Sequence, residues 1–474
     1  DLLDRPDAPQ AGTGLPSGGS GASSATSAVG DLGIGDLKPI SVPLVLSGFA
    51  PQAVTDLRER LLPLGLVPIQ GGGSADSTLP TGAFEPGASL GVELMRGDLS
   101  MVGIGTLTYR DGDRVVGFGH ELFSSGTTSL PMTACYIHGV LPSQMLSFKI
   151  GTSSHPVGAI QQDRAPGVAG TIGREAAMLP AGITVRSPGS RVDFSIEVVR
   201  NRDLTPVLLR SAVLSALISA EKLSGETTVS ARARFTLADR PALVLDNVYA
   251  GPTGLGQAVL GVTSPLSALL RNPFETVDVR KVEFELEVEE RAQTARIASV
   301  RLDRGSFEPG DTARVTVVLQ PYLGDPYTVS TDLGIPRLAG KGRLTLRVAS
   351  AAAHRSAEPK RAPGEYRASD FDDLLRLLRR AERNDDLIFD LLSKRPGVTV
   401  EGREVTSLPA SVLAVLRLSR ESGTVKPVTQ TVLERKRLRT GHVLSGSQTV
   451  YIDVGRERGG VTFDERDRTS GKKR

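Results

Sequence analysis

Short apolar runs, broken every few residues by glycine or proline, constrain this chain most: 52 glycines and 30 prolines are spread through its 474 residues. Long helices do not survive that punctuation, because glycine loses more backbone entropy on ordering and proline removes a donor and crowds the preceding turn. Short strands joined by turns do survive it. With 39% hydrophobic residues, 4% aromatics and no tryptophan, the pattern predicts a mainly β chain with minor α. The length predicts roughly two to four domains, each with a core of its own.

Residues 1–39 are dominated by Gly, Ser, Ala and Thr without an apolar period, which predicts a linker after the remnant of an upstream segment. The opening Asp1-Leu2-Leu3-Asp4-Arg5-Pro6 reads as the last turn of a helix stopped by proline, so the expectation is of a truncated start. Over 40–70, ISVPLVLSG and LGLVPI read as strands. Between them Val54, Leu57, Leu61 and Leu62 recur at helical spacing, which predicts a small β-α-β unit. A glycine-rich connector, 71–77, leads into a β domain over 78–280. It opens as a meander with tight turns at Arg96-Gly97-Asp98 and Asp111-Gly112-Asp113 and runs to His120. Val192, Phe194, Ile196 and Val198 alternate as a strand, whereas Leu208, Leu209, Val213, Leu214, Leu217 and Ile218 predict one helix over 204–222.

Residues 281–350 alternate at period two through VEFELEVEE, ARIASVRLD, ARVTVVLQPY and RLTLRVAS, and read as an immunoglobulin-like β-sandwich. After a break over 351–368, a helical segment with a terminal strand fills 365–455. Ser369 and Asp372 suggest its capping box, and Phe371, Leu374, Leu375 and Leu378 its apolar stripe. A second helix is expected from about Asn384 to just before Pro396, a third after Ser407, and a closing strand over 446–454. Residues 456–474 form a charged tail of disordered type.

The net charge of +3 comes from 56 basic and 53 acidic residues interspersed along the chain, which argues against nucleic acid as a partner. Cys135 is the only cysteine, so neither an intrachain disulfide nor a cysteine-cluster metal site is available. No apolar run reaches the length of a transmembrane helix.

Two stretches carry a family resemblance: GTLTYRDGDRVVGFGH at 105–120 and FKIGTSSHPVGAIQQDRAPGVAGTIG at 148–173. A Gly-Thr-Leu-Thr strand, a turn and a second strand ending in Gly-His resemble the SpoIVB-type serine peptidases, in particular their long exported bacterial variants. The resemblance implies a trypsin-like β-barrel and a Ser-His-Asp triad, with His120 as the catalytic general base. It implies a protein or peptide substrate, further partners in the cell envelope, and an exported location, periplasmic or in the cell envelope; no cofactor or metal is expected. The family's Met-Ser-Gly-Ser-Pro nucleophile motif is absent. The nearest echo is Leu444-Ser445-Gly446-Ser447, in another domain. In the long variants the serine segment precedes the Gly-His segment, so the expectation is of a nucleophile outside this chain and of an inactive or incomplete enzyme. The rival expectation is a noncatalytic binding or scaffold protein of the cell envelope.

The remaining candidates point to bland roles. Asp163 reads as a turn-capping or solvated carboxylate. His138 and His155 lack partners at metal-ligand spacing. Strings such as Gly103-Ile104-Gly105 fall inside strands and are not phosphate loops. Cys135, among apolar neighbours, reads as a buried small residue.

Overall fold

The structure is a computed structural model that describes residues 41–455, apart from 72–77, 143–146, 221–225, 396, 401–402, 406–408, 410 and 413–424. The linker, the charged tail, most of the connector at 71–77 and the helix expected after Ser407 lie largely outside the described residues. Among the described residues the chain is mainly β, and no helix is long and apolar enough to cross a membrane.

The β-α-β unit forms as expected. Strands β1 (Val42–Ser47) and β2 (Leu66–Gln70) pair in parallel, and helix α1 (Pro51–Leu61) buries Ala53, Val54, Leu57 and Leu61. The unit is not separate, because β1 also pairs with β4 (Ser100–Asp111). That strand belongs to the predicted meander, together with β3 (Ser89–Gly97) and β5 (Arg114–Gly117). Next come a long hairpin of β6 (Gly126–Leu141) and β7 (Phe148–Arg164), and then β8 (Gly167–Ile172). These strands neighbour one another in the order β3-β6-β7-β8-β5-β4, and β4 pairs back onto β3, which closes six strands into a ring. Leu90, Val92, Leu107, Val115, Leu130, Met132, Ile160 and Val168 from all six are buried in the main core.

The hairpin of β9 (Met178–Ser187) and β10 (Ser190–Val199) continues the sheet from β3, followed by helix α2 (Leu204–Ala220). Strands β11 (Thr228–Leu237) and β12 (Leu243–Ala250), helix α3 (Gly254–Leu270) and β13 (Val279–Glu289) complete this half. β13 lies between β11 and β9, so VEFELEVEE belongs to the large sheet and not to a following sandwich. The domain also holds two helices rather than one. Gly254, Gly256, Gly261 and Pro265 disguise α3 in the sequence, although Ala258, Val259, Val262, Leu266 and Leu269 are its buried face. Gly261 is needed there because a Cβ would collide with the Tyr249 hydroxyl. Helix α2 is also tied to α1: its Ser215 Oγ accepts from the Ala50 N–H at the start of α1, at 2.8 Å.

The second half comprises β14 (Thr294–Leu302), β15 (Ser306–Phe307), β16 (Thr312–Pro321), β17 (Tyr327–Gly334) and β18 (Gly342–Ser350). Helices α4 (Ala351–Arg361) and α5 (Phe371–Arg380) follow, then β19 (Asp386–Ser393), β20 (Gly397–Val400), β21 (Arg403–Val405) and β22 (Val425–Val428). The chain returns through β23 (Thr431–Arg439), β24 (Val443–Ser445) and β25 (Ser447–Val454). The sheets β17-β16-β14-β24 and β15-β25-β18-β19-β23 share one core that includes Ile297, Val317, Leu346, Phe389 and Ile452. The expected closing strand is thus present as β25.

Three further sequence expectations are corrected by the second half. The break at 351–368 contains α4, which starts on a Ser350 cap accepting from the Ala353 N–H. The helix expected from Asn384 is strand β19, buried at every position; a strand covered on both faces has no exposed face to show a period. The cap of α5 is Asp370, which accepts from the Asp373 N–H at 2.7 Å, one residue later than the Ser369 box.

The ring tolerates little added bulk at Gly91 in β3, where a Cβ would meet Cys135 Sγ, Thr133 Cγ2 and Val102 Cγ2. Gly91→Val is expected to cost about 1–3 kcal/mol by overpacking, read as a lower urea midpoint with unchanged slope. An unchanged midpoint would show that these strands are not so closely apposed.

Candidate functional site

His120 stands at the end of β5, on the turn that carries the chain to β6, and is half-buried. The turn is conformationally demanding: Phe118 has φ 71° and Ser124 φ 57°, while Gly119 and Gly126 have φ 75° and 68°. Non-glycine residues in the left-handed region cost on the order of 1–3 kcal/mol each and persist only where their surroundings over-determine them. Two groups do so here. The buried Asp163 carboxylate, from β7, accepts from the Leu122 N–H at 2.7 Å, the Phe123 N–H at 2.8 Å and the Ser125 N–H at 3.1 Å. It also accepts from Ser125 Oγ at 3.0 Å. On the other side, the Phe118 N–H donates to the Thr106 carbonyl at 2.9 Å, and the Phe118 ring covers Gly105, where any Cβ would collide with it. That contact gives a physical reason for the first glycine of Gly-Thr-Leu-Thr.

The Phe118 ring then tilts against the imidazole of His120, centroids 5.7 Å apart, and His120 Nδ1 lies 2.7 Å from the Glu121 carbonyl. A carbonyl can only accept, so Nδ1 carries the proton and Nε2 holds the lone pair of the neutral ring. This is the tautomer required of a base that works through Nε2. Neighbouring hydroxyls are committed elsewhere: Ser124 donates to the Glu121 carboxylate and Ser125 to Asp163. Among the described residues none hydrogen-bonds to Nε2.

The other sequence candidates are not brought to His120. His138 Nε2 is 2.8 Å from Thr152 Oγ1, and His155 Nδ1 is 3.3 Å from Ser154 Oγ. Ser445 Oγ, in the Leu-Ser-Gly-Ser echo, reaches the Ala295 carbonyl at 3.5 Å. Burial, with the nearby Glu93 charge second, pushes the Cys135 thiol up to about 12, so it stays protonated and unreactive at neutral pH.

A second cluster escaped sequence reading. Arg347 of β18, Asp390 of β19 and Arg435 of β23 stand opposite one another in the ladder. Glu358 of α4 lies over them. Arg435 reaches Glu358 at 2.8 Å and Asp390 at 2.5 Å, Arg361 reaches Glu358 at 2.9 Å, and Arg347 reaches both carboxylates. Within this cluster lies the fully buried His354, its Nε2 3.3 Å from Asp390 and its Nδ1 3.4 Å from Glu382, close enough for attraction but off hydrogen-bond geometry. The sequence signal was His354 and Glu358 at helical i,i+4 spacing, invisible once 351–368 was read as a break.

His354, Glu358 and Asp390 could in principle hold a metal, with ligand atoms within 4.8 Å of one another. The chemistry of the set argues otherwise, because both carboxylates already accept from guanidiniums, and a cation would face three arginine charges. The cluster is an ion-pair core. Burial by itself would raise the Glu358 carboxyl, but Arg361, Arg435 and Arg347 outweigh it and hold it down at about 2. Burial is likewise outweighed at Asp390, held well below the carboxylate range by His354, Arg435 and Arg347. The His354 imidazole is raised despite burial, by Asp390 and Glu382.

Linkage gives the pH dependence. The depressed Glu358 and Asp390 contribute stability that is present above about pH 4 and lost as pH falls through their folded values. The raised His354 contributes stability present below about pH 6.5 and lost as pH rises through its folded value. Urea midpoints are therefore expected to fall at both ends, and His354→Gln to flatten the alkaline limb selectively. Asp390→Asn should cost about 3–5 kcal/mol at pH 6, because it leaves buried arginine charge uncompensated. A wild-type alkaline limb in His354→Gln would remove the histidine from this account. Comparison with protein-family models, curated proteins and solved structures finds no match for the chain.

Proposed function

We propose that this chain is a SpoIVB-type serine peptidase-family protein of the bacterial cell envelope, exported to act on protein or peptide, with His120 as general base. The observation that carries the reading is the orientation of His120: Nδ1 is bound to the Glu121 carbonyl, which leaves Nε2 free to take a proton, on a turn locked by Asp163. The six-stranded ring supports reading this region as a trypsin-like β-barrel. The two sheets over one core support reading the second half as an immunoglobulin-like sandwich. Asp163 spends its acceptors on turn amides, so it acts as a positioning residue, and the carbonyl of Glu121 takes the orienting role that a triad carboxylate would have. The nucleophile lies outside the described residues.

One observation favours the second reading, a noncatalytic binding scaffold: the hydroxyls of Ser124 and Ser125, on the same turn as His120, are committed to carboxylates. The test is labelling by a fluorophosphonate probe of the protein expressed from its full coding sequence. Labelling of a serine is expected, with a rate reduced by about 10²–10⁴ in His120→Ala, as for loss of a general base. Labelling at an unchanged rate in that variant would overturn the role of His120. A protein that never labels is the scaffold.

A further inference from the structure

We propose that the groove beside β12 binds an extended acidic segment of a partner protein by strand addition. β12 ends the 13-stranded sheet, paired on one side only, with β11. Its outer side can be read from Val248, whose N–H donates to Asn247 Oδ1 at 2.8 Å and whose carbonyl accepts from Asn384 Nδ2 at 2.9 Å. In an antiparallel ladder both backbone groups of a residue point to the same side, and the sides alternate. Val244 and Asp246 therefore also direct their N–H and C=O outward, and among the described residues these four groups have no partner. Two open rungs of this kind receive a strand of roughly four to six residues.

The open edge faces a groove of about 890 Å³, whose opposite wall comes from α5, the segment before β19, and β23. Its β12–α3 side exposes apolar surface, with Val244 at 42% and Leu260 at 46%. Its lining carries five arginines against three carboxylates, and five less three leaves a net charge of +2. Arg383 and Arg437 are occupied by Asp246 and Glu382. The spare charge sits on Arg379, exposed and without a partner among the described residues, while Arg439, 60% exposed, is held only loosely by Asp385 at 3.9 Å. A segment that alternates apolar and acidic residues complements this lining. The chain's own last stretch, 456–474, does not, since its seven basic and four acidic residues make it +3.

The probe is a fluorescein-labelled octapeptide of alternating Val and Glu, followed by anisotropy on the whole protein. Saturable binding is expected, about tenfold or more weaker for the Val/Lys counterpart because of like-charge repulsion. Val244→Pro removes an N–H that points away from β11, a change edge strands tolerate, and should weaken binding about tenfold with an unchanged urea midpoint. Arg379→Glu, at an exposed position, is the second variant and should weaken the acidic peptide while strengthening the basic one. No saturable binding, equal binding of both peptides, or undiminished binding by folded Val244→Pro would each overturn the proposal.

Discussion

One hairpin, β3 with β4, serves both the closed ring and the open arms of the 13-stranded sheet, and the course of that sheet depends on how the hairpin's edges are divided. Residues Leu90–Val92 of β3 pair with β6, but past a bulge between Glu93 and Met95 the same edge pairs with β10. On β4, Ser100–Gly103 pair with β1, whereas Leu107–Asp111 pair with β5. One end of the hairpin thus closes the six-stranded ring, and the other carries the open arms of the same sheet, out to β12 and to β2. A closed ring and an open arm can diverge from one hairpin where a bulge bends the strand and the backbones approach closely at the fork. Gly97 meets that requirement, with φ 112° and the Ser195 carbonyl where a Cβ would stand. Glu93, buried at the fork, has its carboxyl raised by burial, with Ser153 and Arg96 opposing.

His120 inherits its position from the ring. β5 has four residues, held by β4 on one side and β8 on the other, so the end of β5 is fixed on both edges before the turn begins. Asp163 then reaches back from β7 to organise the turn, which makes the histidine's placement a property of four strands rather than of a flexible loop. His354 is the contrasting case. Fully buried, with carboxylates at both ring nitrogens, it has no access to a substrate and can act only on stability.

Much of this was legible in the sequence where the signal is local. Period-two alternation, the Asp-Gly turn and the helical spacing of α1 and α2 each report a face or a turn that the residues themselves encode. What was not legible is what depends on distant partners. β13 alternates like any half-buried strand, and nothing in VEFELEVEE says that it inserts between β11 and β9. β19 is covered on both faces and so shows no period, while α3 hides its period behind glycines, of which Gly261 admits Tyr249. His120 could be picked out by its motif, but its tautomer rests on a backbone carbonyl. The clamp on its turn comes from Asp163, about forty residues away in the chain, whose reading as a turn-capping or solvated carboxylate did not say which turn it would hold.

The ion-pair core resolves a difficulty that β19 creates. A strand that reads Asp-Leu-Ile-Phe-Asp-Leu-Leu-Ser and is buried throughout could pair with its neighbours in several registers at similar apolar cost. Asp390 removes that freedom, because Arg347 and Arg435 face it directly from β18 and β23. A slip of one residue against β18 would set Asp390 opposite Leu346 or Val348, with a buried carboxylate and two half-buried guanidiniums left to find other partners. Buried ion pairs add little net stability compared with apolar packing, but they penalise wrong arrangements heavily. Arginine suits this row better than lysine, since a planar fork can bond Asp390 and Glu358 together, as Arg347 and Arg435 both do. The charge row thus fixes the register of three strands, and α4, which supplies Glu358 and His354, is held over them by the same charges.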